Sequence, residues 1–98
     1  MKKNMKLSAT DTSTSIAELI DDEAVMQEVE AKREANEQSE FEISVGSWDT
    51  IYIETIGDEA SASDSAPITD KFRFKTFDLS KVFVIAESST DFFITLVW

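Results

Sequence analysis

The chain has 98 residues, no histidine, no cysteine and a net charge of −11, with twenty Asp and Glu against nine Lys and Arg. That length supports one core, and the missing residue types exclude disulfides, thiolate metal sites and imidazole acid–base chemistry. So acidic a chain repels nucleic acid and anionic membranes and attracts basic protein surfaces.

Residues 1–13 are polar. They carry three lysines without the apolar stretch of a signal peptide, so they are expected to form a mobile N-terminal tail, and the expected setting is the cytoplasm. Residues 14–98 are expected to form a single α+β domain. Ser15 and Glu18 have the spacing of a capping box, which predicts a short helix over 15–20. Ile16 and Ile20 share one stripe, while Val25, Met26 and Val29 lie on another, so a second helix is expected over about 22–37. One continuous bent helix is the alternative.

The period then changes to two. Phe41, Ile43 and Val45 alternate with polar residues, and Gly46-Ser47 has the form of a two-residue hairpin turn. This predicts a hairpin with a second strand from Trp48 to about Ile56, in which Val45 faces Trp48 and Phe41 faces Tyr52. Residues 57–70 are rich in Ser, Ala and Asp and hold the lone proline, Pro67, so a flexible acidic loop is expected there. Three further strands follow, at 71–75, 81–86 and 92–98. Phe72 and Phe74 point inward in the first, leaving Lys71, Arg73 and Lys75 facing the acids of the hairpin or solvent. The sum is an α+β fold: an N-terminal helix, or two, followed by an antiparallel sheet of about five strands. One helix can cover only one face of such a sheet. The second face calls for curling into a half-barrel, a homodimer or a partner.

No catalytic constellation emerges. Glu42, Asp49 and Glu54 are the nearest thing to a carboxylate pair, and a solvated strand face explains them better than an acid–base couple, so no enzyme activity is expected. Asp58, Glu59, Asp64 and Asp70 do not match a calcium loop, and two glycines cannot build a phosphate loop, so neither metal nor cofactor is expected.

The charge itself is the strongest functional signal. Between Asp11 and Asp70 seventeen acids face only Lys32 and Arg33, a local net charge of −15. The candidate partner-binding residues are Asp21, Asp22, Glu28, Glu30, Glu34 and Glu37 on the helix, with Glu40, Glu42 and Asp49 on the hairpin. Rows of carboxylates on a rigid frame can occupy a groove built for phosphates, so the expected partner is a protein with a basic surface, not nucleic acid or membrane. In acidity and layout the chain resembles small phage-encoded inhibitors, such as the inhibitor of uracil-DNA glycosylase and several anti-CRISPR proteins. That resemblance implies an anti-defence inhibitor that acts as a DNA mimic, and it assigns no individual residue. The alternative is an interaction module (an immunity protein, antitoxin or assembly chaperone) binding through the apolar sheet face or the C-terminal edge strand, with a homodimer as one form.

Overall fold

Phe92, Ile94 and Leu96 are fully buried while Phe93 and Val97 are exposed, so the last strand has one core face and one outer face. The structure, a computed structural model, describes residues 1–57, 59–61 and 64–98. Its strands are β1 (Lys2–Ala9), β2 (Thr14–Ser15), β3 (Ser39–Val45), β4 (Ile51–Glu54), β5 (Ala66–Ile68), β6 (Lys71–Thr76), β7 (Phe83–Ile85) and β8 (Thr90–Val97). Two helices, α1 (Ile16–Leu19) and α2 (Glu23–Glu34), lie between β2 and β3, and a 3₁₀ turn covers Leu79–Lys81.

The strands form two antiparallel four-stranded sheets. The larger has the order β1-β8-β3-β6 and the smaller β2-β7-β4-β5. The chain changes sheet at nearly every connection, and β4–β5 is the one pair of consecutive strands that bond to each other among the described residues. Eight strands in this order make a jelly roll, with the core between the sheets. Met5, Leu7, Phe41, Ile43, Phe72, Phe74 and the inward residues of β8 meet Ile51, Ile53, Ile68 and Val84 from the smaller sheet. Phe41 and Phe74 stack across β3 and β6 with centroids 5.1 Å apart.

The expected α+β architecture is therefore overturned: the protein is mostly β, with one long helix inserted between strands. The second sheet of the same chain covers the inner face of the larger sheet, and the other face, expected to need cover as well, stays open with Phe93 and Val97 exposed. The stretch read as a tail holds β1, which pairs with β8 along its whole length, from Lys2 opposite Val97 to Ala9 opposite Thr90. No 41–56 hairpin forms, because β3 pairs with β6 and β8 while β4 joins the other sheet. Gly46-Ser47 begins a crossing between sheets. The segment read as a flexible loop contains β5 and packs Ala60 and Ser65 inside, with the Ala60 N–H donating to Ser13 Oγ at 2.8 Å. Asp58, one of the acids weighed there as a calcium ligand, lies outside the described residues.

α1 starts at the expected Ser15 cap, and α2 at an Asp22 cap not assigned from the sequence. Ser15 Oγ accepts from the Glu18 N–H at 3.3 Å, and Asp22 Oδ1 accepts from the Val25 N–H at 3.2 Å. α2 stops where Asn36 takes φ 58, and the Asn36 and Glu37 N–H groups donate to the Arg33 and Lys32 carbonyls. That is a Schellman cap, with Asn in the place glycine most often holds. Val25 and Val29 are buried and fix the helix to the core.

All four sheet edges are protected. β1 and β6 carry six of the nine basic residues, β2 has two residues, and β5 has three including Pro67. Lysines, short strands and proline are the usual devices that prevent edge-to-edge pairing. β8 lies between β1 and β3, so the C-terminal strand offers no free edge for strand addition.

Candidate functional site

α2 crosses one end of the sandwich, with its buried Val25 and Val29 setting which residues face out. At 100° per residue, the opposite side carries Glu23, Gln27, Glu30 and Glu34, a stripe about 16 Å long at 1.5 Å per residue. Met26 and Ala31 border it and complete an open, shallow surface. Glu23 is absent from the residues singled out by sequence. The phase of Val25 and Val29 is the signal that identifies it.

The nine acids expected to bind a partner do not form one surface. Asp21 is exposed in the link before α2. Asp22 acts within the fold, capping α2 and pairing with Lys3 Nζ at 3.5 Å, which ties the helix to β1. Glu28 accepts from the Trp98 indole N–H at 2.9 Å, which ties α2 to the end of β8. Glu37 pairs with Lys32 at 2.9 Å, and Glu30 is gripped by Arg33 through two guanidinium nitrogens. Glu34 is exposed in the last turn of α2. These residues gather at one end.

Glu40 and Glu42 belong elsewhere, on the outer face of the larger sheet. Register places them in two of three rows running across the strands. One row is Lys2, Val97, Glu40 and Lys75; the next is Asn4, Thr95, Glu42 and Arg73; the third is Lys6, Phe93, Ser44 and Lys71. Arg73 bonds Glu42. Lys71, Arg73 and Lys75 thus share a face with hairpin-region acids, as expected, and this face holds five of the chain's nine cations. Glu40 and Glu42 are embedded in it and add nothing to the acidic end.

Asp49 is at the far end of the molecule. Trp98 touches α2, whereas Thr90, at the start of β8, lines a cleft with Asp49. Eight residues of strand separate those ends, about 23 Å at 3.3 Å per residue. Glu54 lies on the smaller sheet, so Glu42, Asp49 and Glu54 are not brought together. Among the described residues no group of three or more acids is placed to hold a metal ion, and no helix is long and apolar enough to cross a membrane.

Several carboxylates titrate below their ordinary range. The Val25 N–H, followed by Lys3, lowers Asp22; Arg33 lowers Glu30; Arg73 lowers Glu42; Ser8, followed by Lys6, lowers Asp91. A folded pKa below the unfolded value gives stability that is complete only above the unfolded values, at about pH 5 and higher, and is lost as pH falls through the folded pKa. Thermal melts should therefore weaken below about pH 5. A melting temperature that keeps rising down to pH 2 would contradict these pairings.

No family model and no curated protein matches the sequence. Among solved structures, one chain from "Bacillus endospore appendages form a novel family of disulfide-linked pili" is similar over 98% of this chain and 82% of its own length. Identity is 15% and the TM-score 0.46, a likeness too slight to carry an argument, and this chain has no cysteine.

Proposed function

We propose that this protein is a non-catalytic binding module that meets a basic surface on a protein partner through the outward stripe of α2. The observation that carries the reading is the stripe itself: Glu23 and Glu34, in no ion pair among the described residues, flank the Arg33-paired Glu30 on a helix held by Val25, Val29, the Asp22 cap and the Glu28–Trp98 bond. Carboxylates carried on an anchored helix attract a cationic surface over a Debye length. Where the partner's basic surface is a nucleic-acid-binding site, the protein acts as an inhibitor. Duplex mimicry over all nine acids is disfavoured, because Glu40, Glu42 and Asp49 lie away from the helix.

The test compares the wild type with the Glu23→Lys/Glu34→Lys variant in capture from lysate at 50 and 300 mM salt. Exposed substitutions of this kind change stability by only about 0.5 kcal/mol each, so the variant remains folded. Basic partners retained by the wild type should be lost in the variant and weakened on the order of tenfold by salt. Adding DNA should displace them if the inhibitor form is right. Partners retained equally by the variant, at both salt concentrations, would contradict the α2 site.

A second reading, an interaction module using the larger sheet's outer face, is favoured by the 55% and 41% exposure of Phe93 and Val97. Stacking two copies on this face sets one lysine-bearing edge strand over another in either two-fold arrangement. A homodimer of that kind is disfavoured by charge. Phe93→Ala separates this reading from the first, since only the second loses its partner.

A further inference from the structure

Trp48 is 100% exposed and sits at φ 72. It occupies the third position of the turn Gly46–Asp49, which is closed by the Asp49 N–H donating to the Gly46 carbonyl at 3.1 Å. A positive φ at that position is ordinarily met by glycine. A bulky indole there opposes both the local backbone preference and the tendency of large apolar groups to leave water. Strain of this kind points from an outlier to a hypothesis of function.

The surroundings define the ligand chemistry. Trp48, Asp49, Tyr52 and Glu87 line one open cleft of about 250 Å³ at the end of the sandwich opposite α2. Neither Lys nor Arg lines it, and Asp49 and Glu87 have no ion pair among the described residues. The Asp49 carboxylate lies against Gly46, 3.0 Å from where a Cβ on that residue would stand. An aromatic face beside two uncompensated carboxylates favours a cation, through the ring quadrupole and direct pairing. An anion is repelled. A neutral sugar could stack on the indole and donate hydroxyl hydrogen bonds to the carboxylates, but it leaves their two charges uncompensated, whereas a cation neutralises them.

We propose that the Trp48 cleft is a binding site for a cationic side chain, the guanidinium of arginine or the ammonium of lysine, presented by a protein or peptide. The site stands apart from the α2 stripe and does not rest on it. Trp48 supplies the stacking face, and Asp49 and Glu87 pair with the charge.

The probe is a capped tri-arginine peptide titrated into the whole protein, with the two tryptophan indole N–H signals followed by NMR. The Trp48 signal should move and saturate, with a dissociation constant on the order of a millimolar, while the Trp98 signal stays in place. Trp48→Gly should weaken binding roughly tenfold, with a melting temperature no lower than wild type, because glycine relieves the left-handed backbone. Glu87→Gln should weaken binding and reduce its salt dependence, and Trp48→Phe should retain part of it. A Trp48 signal that ignores tri-arginine, or a Trp48→Gly variant that binds as well as wild type, would overturn the proposal. So would a Trp48 signal that moves with a neutral oligosaccharide and not with tri-arginine.

Discussion

Deleting residues 1–9 is expected to abolish cooperative folding. β1 pairs with β8 over eight residues and places Met5, Leu7 and Ala9 against the core, with Ala9 only 2% exposed. Without it, β8 becomes an edge, and Phe92, Ile94 and Leu96 lose their cover on one side. Three inward side chains at about 1–3 kcal/mol each, plus the lost pairing, approach the 5–15 kcal/mol that holds a whole domain together. Far-UV circular dichroism during heating should show no sigmoidal transition for the truncated chain. A mobile tail would make the same truncation neutral, so an unchanged melting curve would refute the fold near its N terminus.

Phe41→Ala is expected to destabilise the protein by about 3–5 kcal/mol. Phe41 is fully buried at the centre of the larger sheet and stacks on Phe74, so truncation leaves a cavity that neighbours on three strands cannot close. Urea unfolding should show a lower midpoint with an unchanged slope. Phe93→Ala, on the same sheet but facing outward, should stay within about 1 kcal/mol of wild type. Equal effects at the two positions would mean that the faces have been assigned wrongly.

Five strands are legible in the sequence. Period-two patterning marks 41–45 and 71–75 and states which residues share a face, the Gly46-Ser47 turn signal marks the start of the next strand, and apolar runs between turn residues mark the last two. Phe41 with Ile43, and Phe72 with Phe74, are inward as their alternation implies. What patterning cannot state is which strand lies next door. The Gly46-Ser47 signal fits a hairpin, but the chain there crosses between sheets, and the pairing of β3 with β8 spans about half the chain. β1 was obscured by its lysines, although Met5, Leu7 and Ala9 do alternate. β2 and β5, at two and three residues, are too short to carry a pattern.

The candidate site was legible in part for a related reason. Glu30 and Glu34 follow from charge alone, and Glu23 follows once Val25 and Val29 define the buried side of α2. That Glu42 would meet Arg73, and that Glu40 would stand between Val97 and Lys75, required the register. The exposed indole of Trp48 could not be foreseen, because the expected hairpin placed it on a packed surface beside Val45.

Both sites depend on the strand order that puts α2 and Trp48 at opposite ends of β8. Inter-strand nuclear Overhauser effects measure that order directly. Ile94 in β8 should show contacts to Met5 on one side and Ile43 on the other. A set of contacts joining Val45 to Trp48 and Phe41 to Tyr52, with none between Met5 and Ile94, would restore the hairpin and contradict the jelly roll.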